Sequence, residues 1–168
     1  MNLPLIFIGL LGAGKSSVGK QMASALAWDF YDSDLLFEQQ VEQPITSFFA
    51  EQGEKKFREI ESAILADLVQ NKKRVIATGG GVVLDAGNRA LINKKSLCIY
   101  LDADVDTLYQ RLKDDCTRPL LQNTDLRQRL QDLKTQREAY YQECAHITVS
   151  IKDKSIEQII AEIKEQLK

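Results

Sequence analysis

Gly9-Leu10-Leu11-Gly12-Ala13-Gly14-Lys15-Ser16 fits the pattern G-x-x-x-x-G-K-[ST]. These residue types serve one chemistry. Glycines let backbone N–H groups turn inward around phosphate oxygens. A lysine closing such a loop bridges β- and γ-phosphates, and the next hydroxyl can hold Mg2+. Gly12, Ala13, Gly14, Lys15, Ser16 and Ser17 are therefore the expected nucleotide-binding residues. The motif specifies a bound nucleotide and leaves open what its phosphate is used for.

A second constellation narrows that use. Val75-Ile-Ala-Thr78-Gly79-Gly80-Gly81 ends in three glycines where many P-loop proteins carry an aspartate for Mg2+. Glycines there let the backbone approach a ligand closely. The missing carboxylate is then sought in Tyr31-Asp32-Ser33-Asp34, whose two aspartates share one side of an extended segment. A helix cap is the ordinary alternative, more so for Asp34 than for Asp32.

Two arginines complete the set. Arg58 precedes Glu61 by three positions, on one helix face, which suits either a surface ion pair or a ligand contact. Arg137 falls on an apolar stripe marked by Leu126, Leu130, Leu133, Tyr140 and Cys144. An arginine aimed inward needs an anionic partner or must snorkel to solvent. Two guanidinium groups near the glycine loop would suit a carboxylate substrate, since each pairs bidentately with one. Asp114 to Gln122 is polar, carries Arg118 and Pro119, and reads as a lid that closes over phosphates.

Such residues need a frame to hold them. Strand-length apolar runs recur at Leu5 to Gly9, Asp29 to Asp32, Arg74 to Thr78, Ser96 to Leu101 and His146 to Ile151. Helical periodicity lies between them, as with Phe57, Ile60, Ile64 and Leu68 in Glu54 to Gln70. Ile156, Ile159, Ile160, Ile163 and Leu167 repeat it behind the capping box Ser155-x-x-Gln158. Alternation of this kind predicts an α/β fold: a parallel sheet with helices on both faces. Ligands bind beyond the carboxyl ends of such strands, where all three motifs fall.

Composition excludes other classes. A chain of 168 residues with net charge −2 suggests one domain and is no basic nucleic-acid platform. Leu3 to Ala13 has the length of a signal-peptide core, but no Lys or Arg precedes it. Cys98, Cys116 and Cys144 suit a reducing compartment and make neither a disulfide framework nor a zinc site. The expectation is a cytoplasmic monomer with no membrane and no nucleic-acid partner. His146, Trp28 and the tyrosines read as structural or packing residues.

The ordered set GLLGAGKSSVG, DSD at 32–34, FREIE at 57–61, TGGG at 78–81, RPLL at 118–121 and REAYY at 137–141 closely resembles the shikimate kinase family. The resemblance runs through nearly the whole chain. It implies a P-loop, nucleoside-monophosphate-kinase-like three-layer fold with a five-stranded parallel sheet. One kinase domain, 1–168, would include a lid at about 112–124 and a substrate-binding helical segment at about 33–61. It also implies transfer of the ATP γ-phosphate to the 3-hydroxyl of shikimate, in aromatic amino-acid biosynthesis, with Mg2+.

Carried over, Lys15 would hold phosphates, while Ser16 and Asp32 would support Mg2+. Asp34, Arg58, Gly80 and Arg137, with the flanking Gly79 and Gly81, would grip shikimate. Arg118 would reach the phosphates from the lid, and Arg111 would lie near the adenine. Lys15, Asp34 and Arg118 are the expected catalytic residues, with Asp34 either accepting the hydroxyl proton or orienting the hydroxyl. Ser17 stands where Thr is usual, and Leu10-Leu11 where Pro-Met is frequent; neither change removes a needed hydroxyl or charge. A gluconate-type kinase is the nearest rival, because its acceptor is also a hydroxylated acid. A GTPase would usually carry N/T-K-x-D, and Asn71-Lys-Lys-Arg and Asn93-Lys-Lys-Ser both lack the aspartate.

Overall fold

A computed structural model describes residues 1–114 and 125–168. The expected lid therefore lies largely outside the described residues, and Arg118 with it. Among the described residues, β1 Leu5–Ile8, β2 Asp29–Asp32, β3 Arg74–Ala77, β4 Leu97–Asp102 and β5 Ile147–Ser150 form one parallel sheet. Its order is β2-β3-β1-β4-β5. The helices are α1 Lys15–Leu26, α2 Ser33–Val41, α3 Ile45–Leu68, α4 Ala86–Lys95, α5 Val105–Leu112, α6 Leu126–Cys144 and α7 Ile156–Gln166. A 3-10 turn, Val82–Leu84, follows the three glycines. The expected five-stranded parallel α/β architecture is what the chain adopts.

The central strands are apolar except for Arg74 at the start of β3 and Asp102 at the end of β4, because helices cover both faces. All four residues of β1 are buried, whereas edge strand β5 alternates buried and exposed. The strands match the apolar runs to within a residue or so at each end. Thr78 leaves the ladder but still bonds Phe7 O through its N–H and its Oγ1, the latter at 2.9 Å. That double contact ties the glycine turn to the end of β1.

Two elements depart from expectation. The periodic stretch 54–70 continues α3, which begins at Ile45 and is broken at Gly53 (φ 84°, ψ 170°). On α6 the inward aromatic is Tyr141, wholly buried, with Tyr140 only partly so. Both fit a 3.6-residue period; helix rotation decides between them. The capping box at α7 is present in both directions, Ser155 Oγ accepting from Gln158 N and Gln158 Oε1 from Ser155 N.

The register sets up the site. Asp32 on β2 lies opposite Ala77 on β3, which lies opposite Phe7 on β1. The YDSD segment, the glycine turn and the glycine-rich loop therefore emerge side by side from three adjacent parallel strands.

Candidate functional site

The glycine-rich loop joins β1 directly to α1. Gly12 (φ 82°) and Gly14 (φ 95°) hold left-handed backbone, which glycine adopts without steric cost. Gly14 caps a helix whose first turn contains no acidic residue, so nothing there opposes an anion at its positive end. Lys15 begins the helix and curls back, donating from Nζ to Gly9 O at 2.6 Å and Leu10 O at 3.0 Å. Arg111, arriving from α5, donates to Gly12 O at 2.9 Å.

Ser16 Oγ donates to Asp32 Oδ2 at 2.5 Å. The other oxygen, Asp32 Oδ1, accepts from the N–H groups of Asp34 and Leu35. The cap of α2 is thus Asp32, in extended backbone, although on sequence a cap is the weaker alternative for Asp32 than for Asp34. Capping leaves one carboxylate oxygen of Asp32 beside the Ser16 hydroxyl, so the cap and metal readings of this residue coexist.

The glycine turn shows what surrounds it by what a side chain there would strike. A Cβ on Gly79 would lie 2.9 Å from Asp34 Oδ1 and 3.3 Å from Glu61 Oε2. On Gly80 it would meet Arg137 Nη1 at 3.3 Å, Gly9 O at 3.4 Å and Tyr141 Oη at 3.6 Å. On Gly81 it would fall 2.5 Å from Arg58 Nη2. Three consecutive glycines thus sit among two carboxylates and two guanidinium groups, with the glycine-rich loop alongside. Asp34, Arg58 and Arg137, far apart in sequence, meet here.

Arg58 donates to Glu61 Oε1 at 2.8 Å. This is no surface pair, since Glu61 is only 5 % exposed. Burial raises the Glu61 carboxyl above its ordinary range, and Arg58 opposes that by charge and hydrogen bond. Among the described residues, Nε of Arg58 and Nε of Arg137 are buried without a hydrogen-bond partner. Arg58 Nε faces Glu54 Oε1 at 3.6 Å; the Arg137 Nε, buried with no hydrogen-bond partner, suits a site that takes an anion.

Tyr141 Oη donates to Gly80 O at 2.6 Å, and its ring stacks on Tyr100 with centroids 5.0 Å apart. Burial pushes the Tyr141 phenol up to about 12, although Arg137 pulls the other way. Tyr100 Oη in turn reaches Glu138 and Asp102. Sequence reasoning missed Tyr141 and underrated Glu61. The α6 periodicity that singles out Arg137 is compatible with either Tyr140 or Tyr141 on the buried face. His146 accepts from Cys98 N through Nδ1, a structural bond between the start of β4 and the residue before β5.

The chain is similar to known proteins over nearly its whole length. The sequence model of the shikimate kinase family matches residues 11–168. A shikimate kinase of Neisseria meningitidis serogroup C is 45 % identical over 148 residues, covering 88 % of this chain and 87 % of its own. One of Nitrosospira multiformis is 38 % identical over 163 residues, covering 97 % and 84 %. The chain belongs to the shikimate kinase family. As a member it is an ATP-dependent phosphotransferase with an alcohol group as acceptor. The solved shikimate kinase of Acinetobacter baumannii, in complex with shikimate, superposes with a TM-score of 0.94 at 33 % identity, covering 99 % of this chain and 93 % of that one. Among the described residues, no helix of the kinase is long and apolar enough to cross a membrane.

Proposed function

We propose that this kinase transfers the γ-phosphate of ATP to the 3-hydroxyl of shikimate with the residues just described in the following roles. The observation that carries the reading is the convergence of Arg58, Arg137, Asp34 and Glu61 on the Gly79–Gly81 turn, against the loop that ends in Lys15.

The glycine-rich loop and the N-terminus of α1 take the triphosphate, through backbone N–H groups and Lys15. Nζ leaves the Gly9 and Leu10 carbonyls and moves onto the β- and γ-phosphates. Arg111, already against the loop, borders the adenine, and Arg118 contributes a further positive charge. Arg58 and Arg137 take the shikimate carboxylate, and the Gly79–Gly81 backbone lies flat against its ring. Asp34 points its carboxylate at the acceptor hydroxyl. The hydroxyl oxygen bonds the γ-phosphorus, the bridging bond to the β-phosphate breaks, and the proton leaves the hydroxyl toward Asp34. Placement and charge do most of this work, because the transition state of phosphoryl transfer is loose.

The Ser16 hydroxyl and Oδ2 of Asp32, held together at 2.5 Å, are hard oxygen ligands that would suit Mg2+. Bound there, Mg2+ neutralises charge on the β- and γ-phosphates. The protein's part is to hold those two oxygens together.

A coupled ADP-release assay tests the reading. ADP should appear with ATP and shikimate, and not with ATP and gluconate. Equal rates with both acids, or GTP serving better than ATP, would sink it. The turn itself gives a finer check. Gly81 has φ −93° and ψ 3°, which alanine tolerates, but its Cβ would displace the Arg58 guanidinium. Gly81→Ala is expected to raise the shikimate KM by roughly tenfold or more through the lost charge-assisted contact. Its Tm should fall by less than about 3 °C, because the end of a flexible side chain can yield. A large fall in Tm with unchanged KM would contradict this.

A further inference from the structure

Arg137 is held by more than the helix that carries it. Its guanidinium and the Tyr141 phenol stand one helical turn apart on α6 and converge on Gly80, at 3.3 and 3.6 Å from the position of its missing Cβ. Tyr141 Oη donates to the Gly80 carbonyl at 2.6 Å. The Arg137 guanidinium stands close enough to that oxygen for its charge to oppose the rise that burial gives the phenol. A phenol can accept one hydrogen bond while donating another. Tyr141 is fully buried, and its ring is fixed by stacking on Tyr100. Tyr100 is anchored at its own hydroxyl by Glu138 and Asp102 at 2.8 and 3.2 Å, and Lys134 bonds Asp102 from one turn earlier on α6. The phenol therefore has little freedom to move. Arg137 is a long side chain with rotamer entropy to lose, and its Nε is buried without a partner among the described residues.

We propose that Tyr141 is a positioning residue for the acceptor. Its hydroxyl links the Arg137 guanidinium to the Gly80 carbonyl and so presets both groups against which the acid substrate docks. This rests on the reading above, in which Arg137 and Gly80 contact shikimate. Tyr141 itself need not touch substrate. Its contribution is preorganisation, which lowers the ordering cost of binding.

Tyr141→Phe keeps the ring and its stack and removes only the hydroxyl. The shikimate KM should rise roughly tenfold to a hundredfold, the range for a hydrogen bond to a charged group. The ATP KM should change by less than about twofold, and kcat by less than about threefold, as for loss of binding shared by ground and transition states. A purely structural defect would instead change both KM values or only Tm. A double-mutant cycle with Arg137→Ala separates the remaining cases. If the phenol acts through the arginine, the double variant loses clearly less than the sum of the two single losses. Additive losses, or an unchanged shikimate KM in Tyr141→Phe while Arg137→Ala is impaired, overturn the role of Tyr141 and leave the acceptor site standing. An unimpaired Arg137→Ala would bring down the acceptor-site reading and this inference together. Should Tyr141→Phe not fold, a crystal structure of the unmodified protein with shikimate decides. Oη must then lie within about 3.2 Å of both Gly80 O and an Arg137 nitrogen. An Oη turned away from Arg137 overturns the proposal.

Discussion

Lys15→Met is expected to fold like the parent protein and to lose about 10³-fold or more in kcat. The side chain is part-buried at the start of α1, and its contacts include two backbone carbonyls of its own loop, Gly9 O and Leu10 O. Each such bond is worth about 1 kcal/mol net, so Tm should fall by no more than about 8 °C. Methionine keeps the stem and its packing. The charge, by contrast, meets negative charge that shifts onto the phosphate oxygens as the bond to the β-phosphate breaks. Losing a preorganised donor at that point costs on the order of 4 kcal/mol of transition-state stabilisation. Steady-state kinetics and thermal melts of one preparation make the test. A folded Lys15→Met protein retaining a tenth of parental kcat would contradict it.

Arg58→Ala and Arg137→Ala are each expected to weaken shikimate binding by about 2–4 kcal/mol, as for breaking a desolvated charge pair. Calorimetric titration with shikimate should reveal this, while ATP affinity measured without shikimate changes little. Comparable losses for both ligands would assign the arginines to the nucleotide. The two variants should also differ from each other. Removing Arg58 strips buried Glu61 of its hydrogen bond and of the nearest positive charge. Its carboxyl, already raised by burial, should rise further. The folded state would then bind a proton that the unfolded chain has released. Stability of Arg58→Ala is full below the ordinary carboxylate range and declines as pH rises through and above it. Arg137→Ala should show less of this slope, since Arg137 acts on Glu61 by charge alone and more weakly than Arg58. Melts from pH 4 to pH 8, a span of about four units above the ordinary Glu value, would expose the difference; parallel curves would show that Arg58 does not support Glu61.

How much of this was legible beforehand follows the range of the interactions involved. The glycine-rich loop is local chemistry. Left-handed backbone at Gly12 and Gly14, and a lysine at the first helical position, are properties of consecutive residues. The capping box at Ser155 is local in the same sense. The parallel sheet was legible from alternating apolar runs, because strands buried on both faces leave an uninterrupted hydrophobic signature. Arg137 stood out because one charged residue broke a stripe of apolar ones. Tertiary structure decided the rest. Which aspartate caps α2 depended on the extended backbone at the end of β2, set by pairing with β3. The rotation of α6 against the sheet chose Tyr141 over Tyr140. Glu61 turned from a surface partner into a buried carboxylate once α3 lay against the glycine turn, and Arg111 met Gly12 across 99 positions of chain. Residue type and spacing determine which groups a short segment can offer; burial and long-range contact, which set their charge and their partners, arise only when the strands carrying them lie side by side.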